Sequence, residues 1–257
     1  MLFTGSIALV GSGNVAWHLG NAFVNSGVHV SQVYGRNFEK ANGLAQALNA
    51  KFESELSKLN VDVIIVCVND DNIAEVISKI PIDCCVLYTS GALGLSAFED
   101  RKNIGVLYPL QTFGDRNLSD FSQIPLLIEA RDGVFLKELN SLASSISSKV
   151  YVVNSEQRLI YHLSAVWMNN FVNHLGSIAF EIIEQYHLNW EVLKPLIEKT
   201  TLNILNNNPI DIQTGPAKRN DLKTLALHQD KLNAEQKALY IAIAESIKKK
   251  HHPNGKL

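Results

Sequence analysis

One stretch, Ser6 to Phe23, constrains the fold of this chain more than any other. It reads Ser-Ile-Ala-Leu-Val-Gly-Ser-Gly-Asn-Val-Ala-Trp-His-Leu-Gly-Asn-Ala-Phe. Ile7, Ala8, Leu9 and Val10 form an apolar run with no polar face, the pattern of a parallel strand covered on both sides. Gly11, Gly13 and Ala16 follow at G-x-G-x-x-A spacing, with apolar Val15, Leu19 and Phe23 on the helix behind them. Gly11 permits the sharp exit from the strand, Gly13 lets a phosphate approach the backbone, and Ala16 lets the helix pack close to the strand. Free N–H groups and the positive end of the helix dipole meet at the same place. The strand before the glycines and the helix after them favour a dinucleotide-binding turn over an ordinary glycine-rich turn. Gly11, Ser12, Gly13, Asn14 and Val15 are therefore the expected pyrophosphate loop.

The chain has 257 residues, enough for one large domain or two modest ones. Hydrophobic residues make up 46% and charged residues 19%, so a sizeable core is possible. A formal net charge of −2 gives no basic field for nucleic acid. No apolar run reaches the roughly 20 residues needed to span a bilayer. The first residues run into the strand without the basic region and cleavage site of a signal peptide, so a cytoplasmic protein is expected. Cys67, Cys84 and Cys85 have neither a disulfide framework nor zinc-ligand spacing, and read as free thiols in a reducing compartment.

Taken in order, the chain alternates strands and helices up to about residue 153. Gly27 suits the end of the first helix. Val28 to Tyr34 reads as the second strand and ends at Gly35-Arg36-Asn37. An NAD-preferring site usually carries an acid there, bonded to the ribose hydroxyls; here Arg36 offers a guanidinium to a 2′-phosphate instead, which favours NADP over NAD. Phe38 to Leu48 reads as helix, and Glu53 to Leu59 as a short helical turn. Val61 to Val68 is a strong buried strand, with Asn69-Asp70-Asp71 placed to cap a helix that Pro81 ends. Further strands are expected at Cys84 to Tyr88, Gly105 to Leu107, Ile124 to Ile128 and Val150 to Val153, with a helix over Gly133 to Ser147. This is the alternation of a doubly wound sheet, whose ligand crevice lies at the carboxyl ends of its strands. That rule gathers Gly11 to Val15, Arg36, Val68, Asn69, Ser90 and Gly91 around one cleft.

Beyond Asn154 the strand signal stops. Ser155 to Tyr186 reads as one long helix or two in line, followed by helices over Trp190 to Asn206, Asp221 to Leu227 and Ala234 to Lys250. The expected division is residues 1–153 as a dinucleotide-binding domain and 154–257 as an all-helical substrate and dimerisation domain. Lys248 to Lys250 and His251-His252-Pro253 read as a frayed, solvated tail.

Two places carry candidate chemistry. On the long helix His162, Asn169 and Asn173 lie at i, i+7 and i+11 on one stripe, with Asn170 at its edge. Polar groups among apolar ones need partners or a wet cleft. His162 is the candidate acid, protonating an oxygen or nitrogen as hydride arrives, with Asn170 orienting the substrate. The other place is Thr214-Gly215-Pro216-Ala217-Lys218-Arg219-Asn220-Asp221, where Arg219 adds positive charge suited to an anionic substrate and Asp221 can cap the next helix.

With Thr89-Ser90-Gly91-Ala92, Pro109-Leu110-Gln111-Thr112-Phe113, Tyr161-His162, Asn170, Thr214-Gly215-Pro216, Arg219 and Asp221 in hand, the chain resembles a known family over essentially its whole length. These are the Rossmann-like proteins with a C-terminal domain of unknown function numbered 2520, described as NADP or deazaflavin-coenzyme-dependent oxidoreductase-like. Their more distant relatives are pyrroline-5-carboxylate reductase, ketopantoate reductase and 6-phosphogluconate dehydrogenase. The resemblance implies an N-terminal doubly wound Rossmann domain, an all-α C-terminal domain and a homodimer formed through the helical domain. Two departures stand out. Family members often carry His where this chain has Tyr88 and Tyr108. Dehydrogenases of the wider superfamily use Lys-x-x-x-Asn on the interdomain helix, and if Asn170 is that Asn, the Lys position is Val166.

The resulting expectation is an NADP-dependent oxidoreductase that transfers a hydride to or from a small, anionic molecule bound between the domains. His162, Asn170 and Arg219 are its catalytic candidates, and NAD or a deazaflavin coenzyme is the less favoured cofactor. The alternative is an NADP(H)-binding regulatory or sensor protein without turnover; a third reading is a helical dimerisation module whose dinucleotide domain is vestigial. No membrane or nucleic-acid partner and no metal is expected.

Overall fold

The computed structural model describes residues 5–114, 116, 117 and 120–252. The apolar run is strand β1 (Ser6–Val10), followed by helix α1 (Asn14–Asn25) and strand β2 (His29–Tyr34). Gly27 has φ +84 just past α1, the left-handed position that favours glycine at a helix end. Helix α2 (Phe38–Ala47) is capped by the Asn37 side chain. Strand β4 (Val63–Val66), helix α3 (Asp70–Ser78), strand β5 (Cys85–Tyr88), strand β6 (Ile104–Pro109), strand β7 (Leu126–Ala130), helix α4 (Gly133–Ser144) and strand β8 (Val150–Val152) complete the alternation.

Between α2 and β4 the expected helical turn is replaced. Lys51–Glu53 is a strand, β3, and only Leu56–Lys58 makes a 3-10 turn. Three residues carry no readable period; β3 exists because it pairs with the end of β2 and because Gln32 on β2 donates to the buried Glu53 at 3.1 Å.

The eight strands form one sheet in the order β3-β2-β1-β4-β5-β6-β7-β8. Neighbours run parallel except β6 and β7, which are antiparallel. Order reverses between β1 and β4, which makes the space above their carboxyl ends the crevice of an open α/β sheet. β1 and β4 are buried on both faces, as their uninterrupted apolar sequences require. One core layer joins Leu9, Leu19, Phe23 and Leu139; the other joins Val10, Ile73, Ile77 and Tyr88. Asn69 sits at the N-cap of α3 without a side-chain cap bond, against expectation; Asp70 and Asp71 complement the dipole from inside the first turn.

The chain divides into two compact units, residues 1–169 and 170–257. The first unit retains helix α5 (Ser155–Ala165), which follows the last strand and opens with a capping box between Asn154 and Gln157. After α5 comes a π-helical turn, Val166–Phe171, leading into α6 (Val172–Gln185). A π turn has more residues per turn than an α-helix, so it breaks the phase on which the stripe of His162, Asn169 and Asn173 depended.

The second unit is helical. A 3-10 turn (Trp190–Leu193) leads into α7 (Lys194–Asn206), followed by α8 (Leu222–Gln229) and α9 (Ala234–His251). Asp221 caps α8 through its bond from the Thr224 N–H, as anticipated. The expected frayed tail is instead ordered helix as far as His251, and His252 bonds the Lys218 carbonyl at 2.6 Å. Pro253 lies outside the described residues. No described helix is long and apolar enough to cross a membrane.

Candidate functional site

The glycine turn leaves β1 as its residues demand. Gly11 has φ +125, and a β-carbon there would stand 2.2 Å from the Cys67 carbonyl oxygen. Its N–H donates to the Tyr34 carbonyl at 2.8 Å, tying the turn to the end of β2. Gly13 is the N-cap of α1 and supplies no side chain to the helix's free N–H groups. A β-carbon on Gly13 would meet nothing within 4 Å. The backbone donors of α1 therefore open onto accessible space, an anion cradle in form.

A cleft of about 410 Å³ runs from this turn across the ends of β1, β2 and β4. Gly11, Ser12, Gly13, Arg36, Val68 and Asn69 line it, as the strand-end rule anticipated. Lys40 lines it too, though its residue type alone does not set it apart from the other polar residues of α2. Lys40 stands in the first turn of α2, just past the Asn37 cap, and a cation so close after the strand end that carries Arg36 is the signal that could have found it. Glu75 and Lys79 on the opposite wall pair with each other at 2.5 Å, and Lys79 chiefly, with Arg36 a lesser influence, holds the Glu75 carboxyl below its usual range. Neither Arg36 nor Lys40 forms an ion pair among the described residues, which leaves both charges for an anion.

Four further residues expected at the cofactor make contacts within the protein. The Asn14 side chain donates to the Phe113 carbonyl at 2.7 Å, and Val15 packs against the core. Ser90 is buried: its hydroxyl donates to Asp70 at 2.7 Å and accepts from the N–H groups of Ala92 and Leu93. Gly91 faces His162, and a β-carbon there would come within 2.7 Å of the imidazole ring.

His162 thus belongs to a second cluster in the same unit, at the ends of β5 and β6. Tyr108, next to the last residue of β6, places its hydroxyl 2.9 Å from His162 Nδ1, with the rings edge to face. Burial, and secondarily the charge of Asp70, push the Tyr108 phenol above its usual range, with Arg158 opposing. Ser155, Arg158 and His162 lie on one face of α5. Ser155 bonds Glu129 on β7, and Arg158, fully buried, bonds both Glu129 and the Leu93 carbonyl. The Leu95 N–H donates to the Ser155 hydroxyl at 3.2 Å. Together these bonds fasten α5 to the loop after β5 and set the position of His162.

Cys67 is a core thiol: burial pushes it up to about 12, which removes it as a nucleophile at neutral pH. Asn170 and Arg219 lie in the second unit, where Arg219 sits in the turn before α8, its N–H bonded to the Gly215 carbonyl at 3.3 Å. Gly215 has φ +104, which accounts for the glycine in that turn.

A mostly parallel sheet with an open glycine turn at its switch point and two cations without ion pairs beside it defines a dinucleotide-binding domain of the oxidoreductase type. Comparison with known proteins narrows this. Residues 6–84 match the family described as NADP oxidoreductase, coenzyme F420-dependent, and residues 124–247 match the domain of unknown function DUF2520. The putative NADP oxidoreductase BF3122 of Bacteroides fragilis is 32% identical, with a TM-score of 0.87 over 97% of this chain and 100% of that one. The chain belongs to this family of NADP oxidoreductases. Protein TM1727 of Thermotoga maritima shares the fold at 22% identity, TM-score 0.71, covering 97% of this chain and 100% of that one. An imine reductase of Myxococcus stipitatus, in complex with NAD+, shares it at 14% identity and TM-score 0.65, covering 96% of this chain and 95% of that one. No curated protein matches the chain.

Proposed function

We propose that this protein is an NADP-dependent oxidoreductase acting on a small anionic molecule with a reducible C=O or C=N bond. One observation carries the reading: the open backbone cradle at Gly13 and the uncommitted charges of Arg36 and Lys40 line the same cleft. The pyrophosphate belongs at the cradle, and Arg36 with Lys40 suits a 2′-phosphate. When bound, reduced nicotinamide would supply a hydride to the C=X carbon and become oxidised, while the heteroatom X takes the π electron pair and then a proton from water. His162 acts on X, and Gly91 makes room for its ring. Ser90 positions the loop after β5 rather than touching cofactor, since all its hydrogen-bonding capacity is engaged nearby. Asn170 and Arg219 are proposed to orient the substrate.

The test is calorimetric titration of wild type and Arg36→Ala with NADPH, NADH and a deazaflavin coenzyme. Tight NADPH binding that weakens at least tenfold in the variant, with NADH binding unchanged, supports the assignment. Absence of binding by all three ligands refutes it. The sensor alternative keeps one observation in its favour: a π turn begins at Val166, where the wider superfamily's lysine would stand. It predicts the same binding but no NADPH oxidation with any member of a carbonyl and imine panel.

We further propose that the protein is a homodimer formed through its helical unit. Among the described residues the buried apolar cluster of that unit is small, centred on Ala217, Leu225 and Ala244. Val172, Leu175, Phe180, Leu196 and Leu205 are exposed. So much exposed apolar surface on a helical unit with so small a core calls for a partner. Light scattering should give twice the chain mass; a monomer at micromolar concentration refutes it.

A further inference from the structure

The His162 ring is confined on two sides. Gly91 lies against it, where any β-carbon would collide with Cγ, Nδ1 and Cβ of the histidine. The Tyr108 hydroxyl meets Nδ1 at 2.9 Å. A neutral imidazole has one N–H and one bare nitrogen, and the hydrogen bond at one nitrogen decides which is which. Among the described residues, Nδ1 of His162 is the hydrogen-bond partner of the Tyr108 hydroxyl. Were Nδ1–H the donor, the phenol's own proton would point into a part-buried site with no acceptor among the described residues, a costly arrangement. Burial also keeps the phenol protonated, so it has a proton to give.

We propose that Tyr108 is a positioning residue: its hydroxyl donates to Nδ1, holds neutral His162 in the Nε2–H form, and leaves that N–H as the imidazole's one donor to a substrate heteroatom. The inference rests on the oxidoreductase reading and narrows its substrate class. An N–H donor requires a lone pair on its partner. A neutral carbonyl oxygen or a neutral imine nitrogen has one. A protonated iminium nitrogen has none and needs an acceptor instead. The site is therefore built for neutral C=O or C=N compounds, whose π bond the Nε2–H polarises before hydride arrives.

Protein labelled with 15N at its histidine rings tests this by long-range proton–nitrogen correlation, with His162→Gln assigning the signals. The spectra are recorded at alkaline pH. Wild type should show His162 as a single Nε2–H tautomer. In Tyr108→Phe, which keeps the packing and loses only the oxygen, both nitrogen shifts should move toward each other as the two tautomers average. A wild-type ring protonated at Nδ1, a mixed tautomer in wild type, or nitrogen shifts unmoved in Tyr108→Phe overturns the proposal. The wild-type spectrum decides even if the variant folds poorly. NADPH titrated into the same samples keeps the two readings apart. Binding with a mixed tautomer refutes the lock alone, and a locked tautomer without NADPH binding refutes the oxidoreductase role it was to serve.

Discussion

The side-chain amide of Asn14 donates to the carbonyl oxygen of Phe113 at 2.7 Å, so the first turn of α1 holds the segment that follows β6. Two further contacts run alongside. His18 stacks on Phe113 with ring centroids 4.7 Å apart, and Trp17 donates to the Arg116 carbonyl at 3.2 Å. Helix α1 thus presents its backbone donors to the cleft and its side chains to this segment.

Asn14→Ala should release that segment without unfolding the sheet. The expected result is faster amide hydrogen exchange over residues 110–114, with the exchange of β1 and β4 unchanged. Since the Asn14 side chain faces Phe113, NADPH affinity should fall by less than in Arg36→Ala. A loss as large as that of Arg36→Ala would give Asn14 a direct place in the nucleotide site.

Gly11 and Gly13 should separate folding from binding. Gly11→Ala places a β-carbon 2.2 Å from backbone at a positive φ. Strain of about 1–3 kcal/mol comes from the dihedral alone, and the overlap with Cys67 adds to it. Gly13→Ala meets no protein atom within 4 Å. It should melt close to wild type, yet lose NADPH affinity because its methyl group fills the space over the cradle. Thermal melts and calorimetry on both variants check the contrast.

What was readable in the sequence depended on how locally each feature is encoded. The glycine turn, Arg36 and the β1–β2–β4 ends were legible because the motif and the strand-end rule act through consecutive residues. β3 was not, because three residues gain their strand identity only from pairing with β2. The π turn at Val166–Phe171 was missed for a related reason: nothing in Val-Trp-Met-Asn-Asn-Phe departs from a helical pattern, and its effect is to break the stripe that His162 and Asn169 were expected to share. Gly91 was expected at the cofactor by its place after β5; its approach to the imidazole of His162 is tertiary and was not legible. Tyr108 was visible only as a departure from a family habit; its link to His162 is tertiary and left no mark on spacing.

Acid stability should depend on Asp62. Its carboxylate accepts from the Ser6 N–H at 2.7 Å and the Ser6 hydroxyl at 2.9 Å, and these bonds hold its pKa below the usual carboxylate value. A depressed folded-state pKa contributes stability above the unfolded value of about 3.9. That contribution is lost as pH falls through the depressed folded value. Asp62→Asn should therefore be less stable than wild type at neutral pH, and the gap should narrow once pH falls below about 4. Urea denaturation of both proteins from neutral pH down to the acid limb measures it; a gap that stays constant with pH would mean that the ionised form is not what Ser6 binds.

Arg158 and Glu129 carry the attachment of α5. The Arg158 side chain is fully buried and that of Glu129 is 15% exposed. Burying such a pair is costly, so its net worth against an apolar replacement is small, but removing one partner strands the other. Arg158→Met should cost about 3–5 kcal/mol, because Glu129 then loses its ion-pair partner and, among the described residues, is left with Ser155 to bond. Glu129→Gln added to Arg158→Met should recover part of that loss by removing the stranded charge. The His162 nitrogen signals add a second readout. Arg158 stands one turn before His162 on α5, so Arg158→Met should loosen the ring from Tyr108 and mix its tautomers even where the fold survives. Stability restored by the double variant while the tautomers stay mixed would mean that Arg158 orients α5 through its own bond to the Leu93 carbonyl, not merely through neutralising Glu129.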